Sequence, residues 1–416
     1  MRSEIITIGD ELLIGQVVNT NQAFIATQLN LLGIAVTRMH TVGDDREEIL
    51  RGFQESWGRT DVVMVTGGLG PTHDDITKKM VCEFFHTDLV PDQGVREHIE
   101  HLFRARGRAW SAAAEEQSMI PRAATPLPNP LGTAPGLLVR EPGKVFVVLP
   151  GVPYEMRAIM EGSVIPFLRD LVTGTVIRHR TLRTTGISES MLVDQLGDLD
   201  VLLQGARLAF LPSPTGVRLR ITVHDTDAAR ADALVEGVER RIRDRVGKTV
   251  YGTGDEEIEE VVGRLLTHRR QSLAVAESCT GGLLANRITD VSGSSAYFER
   301  GVVAYSNIAK STLLGVPDEL IRTHGAVSRE VAEAMAAGVM QTAGTDFGLS
   351  TTGIAGPTGA TPEKPLGLVW IGYADADGVF AIRMQFGDER QRVKERATQA
   401  ALELLRRRLL NIPLER

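Results

Sequence analysis

Short apolar runs and longer amphipathic stretches alternate along the N-terminal part of the chain. Ile5 to Ile8 is followed by a helical pattern from Thr20 to Leu32 closed by Gly33, then by Ile34-Ala35-Val36. A second helical pattern near Arg46 to Trp57 precedes the run Asp61-Val62-Val63-Met64-Val65-Thr66, and a third helix is expected after Asp74. Strands alternating with amphipathic helices predict a parallel sheet covered on both faces. In such folds ligands sit at the carboxyl ends of the strands. Three loops fall there: Gly9-Asp10-Glu11, Gly43-Asp44-Asp45 and the segment Thr66 to Asp75.

Pro121 to Pro135, rich in proline and small residues, reads as a surface loop before the strand Lys144 to Leu149; a helix is expected after Pro150-Gly151-Val152-Pro153. The pattern changes around Val172 to Thr175. Thr181 to Gly186 and Gly216 to Val223 alternate like half-buried strands, and Asp227 to Val246 is a charged amphipathic helix, which predicts a small α+β domain. Tyr251 to Glu257 reads as a linker and helix start. Beyond it, strands at Leu273–Ala276, Gly301–Tyr305, Phe347–Thr352 and Leu368–Tyr373 alternate with helices. The expected organisation is therefore an α/β domain over 1–171, an α+β domain over 172–250 and a second α/β domain over 251–416.

Composition narrows the setting. With 416 residues, 43% hydrophobic and 24% charged, the chain is long enough for about three cores. A formal charge of -7 argues against a general affinity for nucleic acid or an anionic membrane. The two cysteines, Cys82 and Cys279, are too few and too distant in sequence for a disulfide or zinc framework. The start Met1 to Gly9 lacks a leader's longer apolar region, and no stretch approaches the roughly 20 apolar residues needed to span a bilayer. A cytoplasmic location is expected.

Candidate chemistry lies in two regions. Ala276-Glu277-Ser278-Cys279-Thr280-Gly281-Gly282 follows an apolar run and is joined downstream by Tyr305, Lys310 and Thr351-Thr352-Gly353. Amide hydrolysis needs a nucleophile, a base and oxyanion donors. Ser278 at a strand-to-helix turn, the N–H groups of Thr280-Gly281-Gly282 and a buried Lys310 with a lowered pKa would supply them. The competing readings are Ser278 as a helix N-cap, Lys310 as a solvated lysine, Cys279 as rival nucleophile or buried filler, and Thr352-Gly353 as a strand end and turn. Near the other end, Thr66-Gly67-Gly68-Leu69-Gly70-Pro71-Thr72 has the strand–loop–helix context in which glycine N–H groups meet phosphate, without the Gly-Lys-Ser/Thr of a Walker loop. Asp10, Glu11, Asp44, Asp74 and Asp75 could hold a divalent cation against a pyrophosphate; they serve equally well as helix caps and first-turn acids.

Several motifs in order resemble a known family. Glu277 to Gly282, Gly301 to Asn307, Thr352-Gly353-Ile354-Ala355-Gly356-Pro357 and Lys364 to Trp370 resemble the nicotinamide-nucleotide amidase domain of the CinA family over about residues 256–412. The resemblance implies Ser278 as nucleophile, Lys310 as general base, and Tyr305 and Thr352 as assisting hydroxyls, with Thr280, Gly281, Gly282 and Gly353 lining the substrate. It implies a phosphate-binding arginine in Gly387-Asp388-Glu389-Arg390, where one extra residue interrupts the family's Gly-Asp-Arg; Arg390 is the choice and Arg392 the reserve. Ala360-Thr361 stands where the family usually has glycines. The implied reaction converts nicotinamide mononucleotide to nicotinate mononucleotide and ammonia, with no cofactor.

Gly9 to Gly15, Asn19-Thr20-Asn21, Gly67 to Asp75 and Pro150 to Met156 resemble the N-terminal half of the same family, itself similar to the molybdopterin-binding MoaB/MogA fold, over about residues 1–170. This implies a metal-dependent (Mg2+ or similar) ADP-ribose pyrophosphatase. Asp10, Glu11, Asp44, Asp74 and Asp75 are then expected around the metal, and Asn21, Gly67, Gly68, Gly70, Pro71 and Thr72 on the substrate. The segment 172–250 takes the place of the family's KH-like insert but lacks the Gly-x-x-Gly of a nucleic-acid clamp, so a spacer role is expected. The resemblance thus implies two three-layer α/β domains joined by a small α+β KH-like domain, in a homodimer acting on nucleotides in pyridine-nucleotide salvage, without nucleic acid or membrane. The alternatives are a molybdopterin adenylyltransferase-like enzyme and a non-enzymatic partner in competence or DNA damage response.

Overall fold

The structure is a computed structural model that describes residues 1–414 apart from Pro71, His73, Asp74, Arg108, Thr173 and Thr175. The expected ligands Asp74 and Pro71 therefore lie outside the described residues. The chain divides into two compact units, residues 1–178 with 224–231 and residues 179–223 with 232–416. Among the described residues no helix is long and apolar enough to cross a membrane.

In the first unit, β1 (Arg2–Ile8), β2 (Ala35–Val42) and β3 (Val62–Thr66) are parallel neighbours, with β1 in the middle. A separate antiparallel ribbon joins β4 (Leu89–Pro91) to β5 (Met119–Pro121). Then β6 (Ala124–Leu127), β7 (Gly136–Glu141) and β8 (Lys144–Leu149) complete a six-stranded sheet of order β2-β1-β3-β8-β7-β6. The sheet is mixed, not wholly parallel: β8 runs parallel to β3, while β6 and β7 are antiparallel. The two residues Pro142-Gly143 between β7 and β8 can close a hairpin but cannot make the long crossover a parallel pair requires.

Strand β3 is buried throughout, which accounts for its unbroken apolar run. Val62 and Met64 meet Ile25, Leu29 and Met156 on one face; Val63 and Val65 meet Phe53, Met80 and Ile99 on the other. Asn19 caps helix Thr20–Leu31 by accepting from Gln22 N at 3.0 Å, and Asp45 caps helix Arg46–Arg59.

The middle segment forms a four-stranded sheet of order β10-β11-β9-β12 from β9 (Val176–Thr184), β10 (Arg207–Ser213), β11 (Gly216–Asp225) and β12 (Val250–Thr253). Val217, Leu219, Ile221 and Val223 of β11 are buried while Arg218 and Arg220 are exposed, so its alternation marks one packed face. Gly252 and Thr253, expected in a linker, instead pair with β9, with Tyr251 at a register shift. The following helix, Ile258–Arg269, starts with a reciprocal capping box between Glu257 and Glu260.

The C-terminal sheet has the order β14-β13-β15-β16-β17, built from β13 (Leu273–Glu277), β14 (Phe298–Val303), β15 (Phe347–Gly353), β16 (Leu368–Asp375) and β17 (Gly378–Gln385). The first three are parallel and the last two antiparallel. Leu273 and Val275 share a core with Leu349, Ile371, Val262 and Leu405, whereas Ala274 and Ala276 face Val331, Met335 and Val339. Small residues on that second face let helix Arg329–Ala343 ride on the sheet backbone. A Cβ on Gly372 would stand 2.3 Å from Ala332 O, and one on Gly348 2.2 Å from Ala336 O. Helix Arg390–Leu409 also joins this domain to the middle segment: Gln399 Nε2 donates to Thr185 Oγ1 at 3.2 Å and Arg406 Nη2 to Lys248 O at 2.8 Å.

Gly372→Ala is predicted to push helix Arg329–Ala343 off the sheet and to cost about 1–3 kcal/mol, a typical overpacking penalty. A urea midpoint equal to the parent's would contradict the close approach.

Candidate active site

The C-terminal site grows from the carboxyl ends of three parallel strands. Ser278 follows β13, Lys310 lies on helix Asn307–Leu314 after β14, and Thr351 and Thr352 end β15. Ser278 is 8% exposed and its N–H donates to Thr351 O at 2.9 Å. Gly281 and Gly282 take positive φ, 60° and 95°, and turn the chain into helix Leu283–Asp290. That helix has no conventional side-chain cap. Glu277, fully buried, answers for it: its Oε2 accepts from Gly282 N and Leu284 N, each at 3.0 Å, and its Oε1 from Ala285 N at 2.8 Å. The capping role is thus filled by Glu277, and the Ser278 hydroxyl has a different partner.

That partner is Lys310. Its ammonium nitrogen is 3.2 Å from Ser278 Oγ, 2.9 Å from Ala304 O and 3.3 Å from Tyr305 O. The side chain is 1% exposed, and burial lowers its pKa from the ordinary lysine value. Two carbonyls and one hydroxyl suit either protonation state: the ammonium donates to all three, while the neutral amine donates to the carbonyls and accepts from Ser278. Cys279 is 6% exposed, packs in the apolar core, and burial pushes its thiol up to about 12, so it stays un-ionised near neutrality.

The remaining expected groups divide. Tyr305 is 61% exposed, its carbonyl orients Lys310, and its hydroxyl accepts from Arg390 Nη2 at 3.3 Å. Arg390 Nη1 donates to Gly356 O at 2.8 Å, whereas Arg392 points to solvent and pairs with Glu389. Thr352 donates to Ala326 O at 2.8 Å and makes no hydrogen bond to Ser278. Its neighbour Thr351 instead pairs with Thr280, hydroxyl to hydroxyl at 2.6 Å. Gly353 sits against Leu368 O and Val369, where a Cβ would clash at 2.6 and 2.7 Å. The N–H groups of Gly281 and Gly282 donate to Ser278 O and Glu277, so they do not serve an oxyanion; among the described residues those of Cys279 and Thr280 have no neighbouring acceptor beyond their own turn.

In the first unit the glycine loop after β3 is held from behind. A Cβ on Gly67 would meet Ile8 O at 2.1 Å, one on Gly68 would meet Thr77 Oγ1 at 2.1 Å, and one on Gly70 Asp75 Oδ2 at 2.5 Å. Asp75 accepts from Thr72 N at 2.9 Å and from its hydroxyl. Asp10 and Asp44 clasp one another's loops: Asp44 Oδ2 accepts from Asp10 N at 3.0 Å and Asp10 Oδ1 from Asp44 N at 3.2 Å. A cleft of about 100 Å³ is lined by Glu11, Asn19, Asn21, Thr66, Gly67 and Gly151. Asn21 is 7% exposed; its Nδ2 donates to Thr66 Oγ1 at 3.2 Å and Gly151 O at 2.7 Å, while its Oδ1 has no partner.

The expected metal ligands are described only in part, since Asp74 lies outside the described residues. Among the described residues no three His, Cys, Asp or Glu side chains are grouped to hold a divalent cation, and Asp10, Asp44 and Asp75 each accept from a backbone N–H group. Two residues escaped the sequence reading. Asn129, in the stretch read as a surface loop, is 2% exposed; its Nδ2 donates to Glu155 Oε2 at 2.6 Å and its Oδ1 accepts from Leu131 N and Gly132 N. Gln117 Nε2 donates to Leu69 O at 3.0 Å and braces the glycine loop. Asn129-Pro130 was the available signal for the first, and the second has none.

Comparison with known proteins covers nearly the whole chain. Residues 4–170 match the family described as "probable molybdopterin binding domain", 179–252 the "damage-inducible protein CinA KH domain" and 255–409 the "CinA C-terminal domain". A CinA-like protein of Salinibacter ruber is 48% identical over 411 residues, covering 98% of this chain and 100% of the relative. One from Chloroherpeton thalassium is 45% identical over 420 residues, covering 99% and 100%. Among solved structures, the protein CinA with unknown function from Thermoplasma acidophilum is 36% identical, covers 41% of this chain and 98% of its own, and superposes with a TM-score of 0.38.

Removing the carboxylate of Glu277 strips three N–H groups of their acceptor, that of Leu284 buried and those of Gly282 and Ala285 partly so. Glu277→Ala is predicted to lose about 2–4 kcal/mol, in line with charge-assisted bonds and unmet buried donors. Chemical denaturation tests this, and a loss below about 0.5 kcal/mol would show that water replaces the cap.

Proposed function

The chain belongs to the CinA family, and from that premise we propose that its C-terminal domain hydrolyses the carboxamide of nicotinamide mononucleotide to nicotinate mononucleotide and ammonia. The observation that carries this reading is the 3.2 Å contact between Lys310 Nζ and Ser278 Oγ, both buried. Neutral Lys310 takes the hydroxyl proton as Ser278 Oγ attacks the amide carbon. The N–H groups of Cys279 and Thr280 are the candidates to receive the developing oxyanion. Lys310 then returns its proton to the departing nitrogen, releasing ammonia and leaving an ester on Ser278. A water, deprotonated by the same amine, hydrolyses that ester and restores the serine. Tyr305 at the mouth and Arg390 beside it are suited to the base and the phosphate of the substrate.

A second activity is proposed for the N-terminal domain, hydrolysis of ADP-ribose to AMP and ribose 5-phosphate. Supporting it is the unpartnered Asn21 Oδ1, a buried acceptor lining a cleft with Gly67 and Glu11, suited to a ribose hydroxyl.

Purified parent protein is expected to release ammonia and nicotinate mononucleotide from nicotinamide mononucleotide. Ser278→Ala and Lys310→Ala should each lose at least about a thousandfold in kcat, as when a member of a catalytic hydroxyl–base pair is deleted; Cys279→Ala should stay within about threefold. Retained turnover in Ser278→Ala would remove the serine mechanism.

The pH dependence follows from the direction of the Lys310 shift. Its base form is the deprotonated amine, so kcat/KM should rise with pH and level off below the ordinary lysine value of about 10.4. Lys310→Arg, which keeps the charge but cannot deprotonate near neutrality, should be inactive. For the other domain, Asn21→Ala should lower ADP-ribose turnover at least about tenfold while amide hydrolysis persists; equal effects on both activities would point to general unfolding.

A further inference from the structure

Helix Arg390–Leu409 carries two cations on the face turned to the Ser278 site. Arg390 and Lys394 are one turn apart, hence stacked on the same side of the helix. Arg390 reaches only neutral acceptors, Gly356 O at 2.8 Å and Tyr305 OH at 3.3 Å. Lys394 is half-buried, and its ammonium lies 3.8 Å from where a Cβ on Gly281 would stand, against the turn that follows Ser278. Among the described residues neither cation has a carboxylate within ion-pair distance, and Lys394 has no hydrogen-bond partner.

Most other cations of the same helix are ion-paired, Arg396 being the exception in donating to Pro214 O at 3.1 Å. Arg392 meets Glu389 at 2.7 Å, while Arg406 and Arg407 both meet Glu403 at 2.6 Å. Two like charges at this spacing repel, and partial burial of Lys394 raises the cost of leaving its ammonium unmatched. A ligand anion arriving between them relieves both terms. Gly281 leaves the space beside the ammonium free of a side chain, and the distance from Ser278 is only three residues along a tight turn.

We propose that Lys394 and Arg390 form a two-cation clamp on the phosphate of a mononucleotide, and that Lys394 makes the site prefer the phosphorylated substrate over its nucleoside. The proposal rests on the amidase reading for the identity of the substrate. The clamp itself rests on the two cations. Arg390 supplies a planar fork held by Gly356 and Tyr305; Lys394, one turn further along the same face, supplies a point charge near the nucleophile's turn. The substrate is thereby held at its distal end while its carboxamide reaches Ser278.

The test uses the full-length chain and compares nicotinamide mononucleotide with nicotinamide riboside, its dephosphorylated analogue. In Lys394→Gln the ratio of kcat/KM for mononucleotide to that for riboside should fall about tenfold or more, with the loss in KM, the size expected for one charge-assisted phosphate contact. Lys394→Arg should recover most of the ratio. Inorganic phosphate should compete with the mononucleotide, and its inhibition constant should rise at least about tenfold in Lys394→Gln. An unchanged ratio in Lys394→Gln overturns the clamp. Should the parent hydrolyse neither amide, the amidase reading fails, and calorimetric titration with inorganic phosphate decides the clamp separately. Binding in the parent that weakens in Lys394→Gln supports it, and absent or equal binding overturns it.

Discussion

A helix that begins without a side-chain cap leaves several N–H groups bare, and at the end of β13 those groups belong to helix Leu283–Asp290. Glu277 meets three of them from inside the protein. Much of the C-terminal site depends on this arrangement. The glycines at 281 and 282 fold the chain back so that a residue on the strand can serve a helix several residues later. With the helix start already satisfied, the adjacent serine hydroxyl has no backbone donor competing for it. Its partner is a buried lysine whose other two contacts are carbonyls, so the hydroxyl and the amine define one another's geometry.

How much of this could be read from the chain depends on the range of each interaction. The strand-to-helix turn at Ser278 was legible because its signals are local, an apolar run followed by paired glycines. Glu277 was not, since its acceptors become neighbours only after the glycines adopt positive φ. The identity of the threonine near the site also turned on a detail below the resolution of a pattern. In an extended strand adjacent side chains face opposite ways, so Thr351 reaches Thr280 while Thr352 reaches Ala326 O. Tyr251 to Thr253 looked like a linker because glycines flank it, yet the edge of β9 was available to pair with it. Strand β17 was missed for a related reason: most of its positions are partly exposed and give little apolar contrast.

The N-terminal acids illustrate an ambiguity that sequence cannot lift. An aspartate before a helix or in a loop serves equally as a metal ligand or as an acceptor for backbone N–H groups. In the structure Asp45 and Asp75 take the second role, and Asp10 and Asp44 bind two loops to each other. The polar group that does stand unpartnered in this cleft is an amide, Asn21, held in place by Thr66 and Gly151. Buried amides in a loop-rich region, Asn129 among them, fix the shape of such a site from within.

The helix Arg390–Leu409 has a consequence beyond packing. Its 20 residues span about 30 Å. One end carries the cations beside Ser278, while Gln399 at mid-helix and the buried Arg406 near the far end tie it to the middle segment. Between them it rests on the core through Ala397 and Ala401. A tilt of a few degrees at the middle segment would move the Arg390 end by an ångström or so, enough to loosen or tighten the grip on a substrate. The middle segment is thus fastened to the same rigid rod that carries Arg390 and Lys394 at its other end.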